Sequence, residues 1–226
     1  MRHTRTRVER EKLAPVSFAG FPPEARTFYA GLEQDNTREY WQAHKNVYED
    51  AVHEPMELLL NELRPEFGEY KIFRPYRNLR FSKDKTPYKT GQGAIVAQDG
   101  QHVGHRYIEI NARGLRLGAG RFHPEREELE RTRRAIVEQP GGELERIKAE
   151  LEQAGYQYMV AELKTAPRGY PTDHPRIDLL RRKRHMASTS FAPGAWLHSA
   201  TAKDRVAQAW RQMDPLLTWL QRHAAP

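Results

Sequence analysis

Arg106-Tyr107-Ile108-Glu109-Ile110-Asn111-Ala112-Arg113-Gly114-Leu115-Arg116-Leu117 is the stretch that decides the fold class. Successive side chains of an extended chain point to opposite faces, so Ile108 and Ile110 share one side while Tyr107 and Glu109 share the other. Arg113-Gly114 makes a turn, and Leu115 and Leu117 resume the alternation around Arg116. Upstream, Gln92–Gln98 is short and rich in small residues, and the dipeptide Asp99-Gly100 after it is a hairpin signal. These segments read as three antiparallel strands. His185–Phe191 reads as one more.

Outward from the strands the period becomes helical. Gly118-Ala119-Gly120 ends the hairpin, and a helix follows from Pro124. Leu129, Ile136 and Val137 are expected inward, with Glu125, Glu127 and Glu128 in the first turn, where the helix dipole favours acids. Pro22-Pro23-Glu24 opens an earlier helix with Ala25, Phe28, Tyr29 and Leu32 on its stripe. Asn36 and Glu39 are spaced as a capping box. From there apolar residues recur to Leu63 over roughly seven turns, which predicts a long N-terminal helix. Pro55 should kink it near His53–Glu54, and Gly68 should end it. Glu143–Ala154 and Ile177–Arg184 are shorter helical runs. A last helix starts at Thr201 and carries Val206, Trp210, Met213, Leu217 and Leu220 on one stripe. The expectation is an α+β domain over residues 16–226, with an antiparallel sheet of about four strands packed with several helices. Residues 1–15 are basic and aperiodic and read as a mobile tail.

The 226 residues include ten Tyr, eight Phe and four Trp, enough aromatic mass to argue against a disordered chain. A chain of this size should bury roughly 70% of its unfolded surface. There is no cysteine, which excludes disulfides, thiolate zinc sites and a cysteine nucleophile. The N-terminal stretch lacks the apolar core of a secretory signal, and no run approaches the roughly 18 apolar residues of a membrane span. No membrane partner is expected, and cytoplasm is the default address.

The net charge of +7 is unevenly distributed. Residues 71–90 hold seven Lys/Arg against one Asp, residues 1–12 hold five against two Glu, and Arg181–Arg184 are all basic. The rest of the chain is slightly acidic. Charge concentrated in this way points to an anionic ligand or partner.

The richest island runs from Phe73 through Thr90. Arg74, Arg77 and Arg80 recur every three residues, with Lys83, Lys85 and Lys89 after them. Phe73, Tyr76, Phe81 and Tyr88 are interleaved, and Ser82, Thr86 and Thr90 add hydroxyls. Arginine presents a planar fork matched to phosphate and carboxylate. Arg74, Arg77, Arg80, Ser82, Lys83, Asp84, Lys85, Tyr88 and Lys89 are therefore the candidate ligand-binding residues. Asp84, between two lysines, is expected to have a lowered pKa if those charges are close, which suits an orienting or structural carboxylate. Tyr88 is expected either to donate to an anion or to serve as a core aromatic. The alternative for the whole segment is a solvated charged loop whose aromatics plug into the core.

The stretch Arg77-x-x-Arg80-Phe81-Ser82-Lys83-Asp84-Lys85-Thr86-Pro87-Tyr88-Lys89-Thr90 resembles the signature of the domain of unknown function 2461 family of bacterial and fungal proteins. The resemblance extends from about Phe21 to Leu220. It takes in Asn36-Thr37-Arg38-Glu39-Tyr40-Trp41, the Gly118–Pro124 turn, and Pro167-Arg168-Gly169-Tyr170 with Asp173-His174-Pro175. It implies a shared fold and a hot spot at this segment, but no reaction. Asn78 departs from the aspartate that the family usually places after Arg77.

Other motifs are weaker. Gly118-Ala119-Gly120 before a helix start is an anion-binding geometry, but it is neither a dinucleotide fingerprint nor a phosphate loop, and three glutamates follow it. His102 and His105 fall on opposite faces of a strand, so no metal site is expected. No catalytic residue and no cofactor emerges, and oligomeric state and catalysis are left open. Two functions compete: binding of an anionic small molecule, and a nucleic-acid-binding module that tracks phosphates and stacks bases. A surface on the long helix for a protein partner is a third reading.

Overall fold

The computed structural model describes residues 17–78, 80, 84–98 and 103–226. The tail read at residues 1–15 and the Asp99-Gly100 turn lie outside them.

The hairpin that opens the sequence reading is β3 (His105–Asn111) and β4 (Gly114–Arg121), paired antiparallel with Ile108 opposite Leu117. Both strands sit inside a wider sheet. Among the described residues, β1 (Glu69–Ile72), β2 (Gly91–Ala97), β5 (Gln157–Tyr158) and β6 (His185–Phe191) complete six strands in the order β1-β2-β3-β4-β6-β5, every neighbouring pair antiparallel. The expectation of about four strands missed the two at the sheet edges. β1 alternates charged and half-buried residues over only four positions, and β5 has only two residues, so neither carries a strong apolar pattern.

The helices are α1 (Pro23–Gln34), α2 (Arg38–Ala43), α3 (Lys45–Tyr48), α4 (Glu54–Phe67), α5 (Arg126–Val137), α6 (Pro140–Gln153), α7 (Ile177–Leu180) and α8 (Thr201–Ala224). Ala94, Ile108 and Leu117 form one rung on the core face of the sheet, each fully or nearly fully buried. α8 packs along β4 and α1 against β3. Val206, Trp210, Met213, Leu217 and Leu220 of α8 are all buried, and each contributes about 1.5–3 kcal/mol by leaving water. The Trp210 indole N–H donates to the Tyr107 carbonyl at 3.2 Å, tying helix to sheet. Arg106 reaches into the same layer, where it bonds Asp214 of α8 and lies 5.0 Å from the Phe67 ring centre.

The expected long helix is divided. α2 ends at His44, a new start follows at α3, and Glu49–His53 winds as a π turn before α4. The apolar period hides this, because a π turn shifts the stripe without exposing it: Ala51 and Val52 stay buried. Pro55 falls in the first turn of α4, directly after the π turn, so the regular α-helical bonding is interrupted where the proline cannot donate. Gly68 ends α4 at φ +97, and a Cβ there would lie 2.3 Å from the Ala97 carbonyl oxygen. Only glycine lets the chain turn so tightly from helix into β1.

Three local expectations are corrected. Thr37 caps α2, its hydroxyl accepting from the Tyr40 N–H, while Asn36 is used elsewhere. Val137 is exposed at the end of α5, where Thr132 and Arg133 are buried instead. The helix predicted over Ile177–Arg184 stops at Leu180, because Arg181, Arg182 and Arg184 turn to bond other groups.

Candidate functional site

After Ile72 the chain leaves the sheet and returns at Gly91. Phe73 still pairs, its N–H donating to the Gly93 carbonyl at 2.9 Å. The basic segment then forms an excursion with a narrow stem. Arg77 N–H donates to Pro87 O and Lys89 N–H to Pro75 O, both at 2.8 Å, around a Tyr76–Tyr88 bridge.

The stem is held from behind by residues read as helix. Asn36 pairs with the Tyr88 backbone in both directions, Nδ2 donating to its carbonyl at 3.1 Å and Oδ1 accepting its N–H at 3.0 Å. The amide side chain thus acts as a strand edge, which is why it does not cap. The Trp41 ring stacks on Tyr88 at 4.4 Å and 6°. Gln92, buried on the core face, donates to the Phe73 carbonyl at 2.6 Å and accepts from Tyr48 Oη at 2.7 Å. The aromatic interleaving of the segment therefore has a mechanical role at Phe73 and Tyr88. Tyr76 is half exposed, and Phe81 lies outside the described residues.

On the face of the sheet away from α8, the stem overhangs an open cleft of about 370 Å³. Gly91 and Gly93 form its floor, and Phe73 and Tyr107 flank it. Their rings are 6.4 Å apart, and a Cβ at Gly93 would come within 2.8 Å of Tyr107 Oη and 3.2 Å of the Phe73 ring. Arg77, Lys89 and Glu109 bring charge to the cleft.

Arg77 Nε donates to the Tyr88 carbonyl at 2.8 Å, and its NH1 pairs with Asp84. Lys89 Nζ donates to the Arg74 carbonyl at 2.8 Å and lies 5.2 Å from the Phe73 ring centre. Among the described residues no carboxylate lies within 4.0 Å of Lys89. Burial, and then the nearby Arg74 and Arg77 charges, hold its ammonium below the usual lysine range. Glu109 is held by two neutral donors, Tyr107 Oη at 2.5 Å and Asn111 Nδ2 at 2.8 Å. Burial and then the Glu109 charge push the Tyr107 hydroxyl up, so it stays protonated and donating.

The predicted residues thus separate. Arg77 and Lys89 line the cleft, whereas Arg74 and Arg80 are exposed and do not. Asp84 is held below the usual carboxylate range, chiefly by the Thr86 hydroxyl and N–H and then by Arg77. Tyr88 is buried in the aromatic stack, Lys85 is exposed, and Ser82 and Lys83 lie outside the described residues. Asn78 Oδ1 accepts the Arg80 N–H at 3.2 Å, a bond that an aspartate would accept equally. Tyr107 and Glu109 were missed as site residues. The alternation marked their face, but only strand register brings that face beneath Lys89.

The other candidates are committed elsewhere. Arg181, Arg182 and Arg184 bond Lys164 O, Met159 O and Glu162 at the β5–β6 side of the sheet. The N-terminus of α5 is filled by Glu128, which accepts from the Glu125 N–H and pairs with Arg121. A surface depression of about 400 Å³ beside α5 holds Arg126, Arg131 and Arg134, interleaved with Glu127 and Glu130. Among the described residues no group of three His, Asp or Glu could hold a metal ion. No helix among them is long and apolar enough to cross a membrane.

Over residues 24–219 the chain matches the model of a family described as conserved hypothetical protein (DUF2461). No curated protein and no solved structure matches it.

Proposed function

The chain belongs to the DUF2461 family of conserved hypothetical proteins, and on that premise we propose that it binds a small anionic molecule, phosphate- or carboxylate-bearing, in the cleft under Lys89 and Arg77. One observation carries the reading: a lysine with no acidic partner among the described residues projects into a cleft beside an arginine whose main chain is pinned. Lys89 spends one donor on Arg74 O, which leaves two for a ligand. Among the described residues Arg77 bonds through Nε and NH1, and its NH2 group makes no further bond. A charge-assisted bond to each is about twice as strong as a neutral one. The rigid stem keeps the ordering cost of binding small. The cleft volume falls within the range of about 300–1,000 Å³ common for small-molecule sites.

The nucleic-acid reading has less support. The Arg181, Arg182 and Arg184 guanidiniums are spent on internal bonds at the far side of the sheet from the excursion, which leaves only Lys183 of that island exposed and distant from the cleft.

A thermal-shift panel of phosphate, pyrophosphate, sugar phosphates and citrate on the full chain tests the proposal. A ligand at a hundred times its Kd stabilises by about 2.7 kcal/mol. That gain should vanish in Lys89→Met and shrink in Arg77→Lys, which keeps a charge for Asp84 but loses the fork. A panel without any stabilising anion, or equal gains in Lys89→Met, would refute it.

A further inference from the structure

The far wall of the cleft narrows the ligand class. Glu109 lines the same space as Lys89, and its side chain leans over Gly91, where a Cβ would lie 3.1 Å from its Cγ and Cδ. The missing side chain at Gly91 thus allows the carboxylate to lie toward the Lys89 end. Tyr107 and Asn111, two residues to either side on one face of β3, each donate to one of its oxygens. Both donors are neutral, so the charge is oriented but not cancelled. Among the described residues no cation lies within 4.0 Å of Glu109. Arg116 stands opposite it on β4, exposed and beyond that distance. Lys89 and Glu109 thus line one cleft without meeting within 4.0 Å, and among the described residues neither has an ion-pair partner.

We infer that the ligand is zwitterionic: its phosphate or carboxylate sits at Lys89 and Arg77, and an ammonium or amidinium group sits at Glu109. The inference rests on the anion reading above. A ligand of this kind would replace the missing partner of each charge at once, and its length must match the span of the cleft. Glu109 would then read the second group, rejecting a plain anion by repulsion and accepting the aminated analogue.

Matched pairs test this on the full chain by calorimetry at low salt: 2-aminoethyl phosphate against ethyl phosphate, 3-aminopropyl phosphate against propyl phosphate, and 4-aminobutyrate against butyrate. For at least one pair, wild type should bind the aminated member about tenfold tighter, the size of one charge-assisted bond. Glu109→Gln, which keeps the bond from Tyr107, should erase that preference while retaining affinity for the plain anion. Lys89→Met should lose both. Plain anions bound as tightly as aminated ones would overturn the zwitterion inference and leave the anion site standing. No binding of any member would overturn both. A Glu109 that merely balances Arg116 would show as equal destabilisation in Glu109→Gln and Arg116→Gln with selectivity unchanged, and that too would overturn the inference.

Discussion

Replacing Asn36 by alanine removes both hydrogen bonds to the Tyr88 backbone. The Tyr88 carbonyl keeps its bond from Arg77 Nε, so that half of the loss is softened. The Tyr88 N–H has no such reserve. Tyr88 is only 4% exposed, and an unpaired buried donor costs about 1–3 kcal/mol. The two losses together should destabilise the fold by about 2 kcal/mol, or roughly 4–8 °C in Tm for a chain of this size. Asn36→Asp keeps the acceptor for the Tyr88 N–H but sets a carboxylate oxygen against the Tyr88 carbonyl, so it should destabilise as well. The assay is urea unfolding with an unchanged m-value, joined to amide exchange at Tyr88 and Lys89. Protection at Tyr88 should fall further than protection in β3, because the stem opens before the sheet does. A stability change under about 0.5 kcal/mol with Tyr88 protection intact would refute the claim that Asn36 holds the excursion.

Further outcomes follow from the same geometry. Gly93→Ala should displace Tyr107 and Phe73, since the new methyl would sit 2.8 Å from one and 3.2 Å from the other. It should cost about 1–3 kcal/mol in denaturant and abolish the anion-induced thermal shift. His185 is buried, and burial followed by the Arg182 charge pushes its pKa down to about 3. The unfolded chain takes up that proton near the ordinary value of 6.5 while the folded chain does not. Stability should therefore fall as pH drops from about 6.5 toward 3, and His185→Gln should flatten that slope in pH-dependent unfolding.

How far the sequence could be read depended on how local each signal was. The β3–β4 hairpin, α1 and the stripe of α8 were legible because their side chains alternate or recur at the period of the element that buries them. β1 and β5 were not, because an edge strand of four or two residues leaves almost no pattern. Asn36 read as a helix cap because Glu39 lies three residues on. Its actual partner, Tyr88, is 52 residues away and shows only in the fold. The same distance effect governs the site. Arg77 and Lys89 stood out by composition within one segment, whereas Glu109 and Tyr107 are ordinary outward residues of a strand until the register sets them beneath Lys89. Arg74 and Arg80 show the converse: even spacing along the chain did not bring them to the cleft.

The central claim is that Lys89 awaits an anion, and its own titration reports on that most directly. The measurement is a pH titration of lysine side chains by carbon NMR, with Lys89 assigned through Lys89→Met and the series repeated at saturating phosphate. In the free protein Lys89 should titrate below the ordinary lysine value of 10.5, and phosphate should move it upward while the other lysines stay in place, because a nearby anion favours the charged form. A Lys89 that titrates with the rest and ignores phosphate would contradict the account.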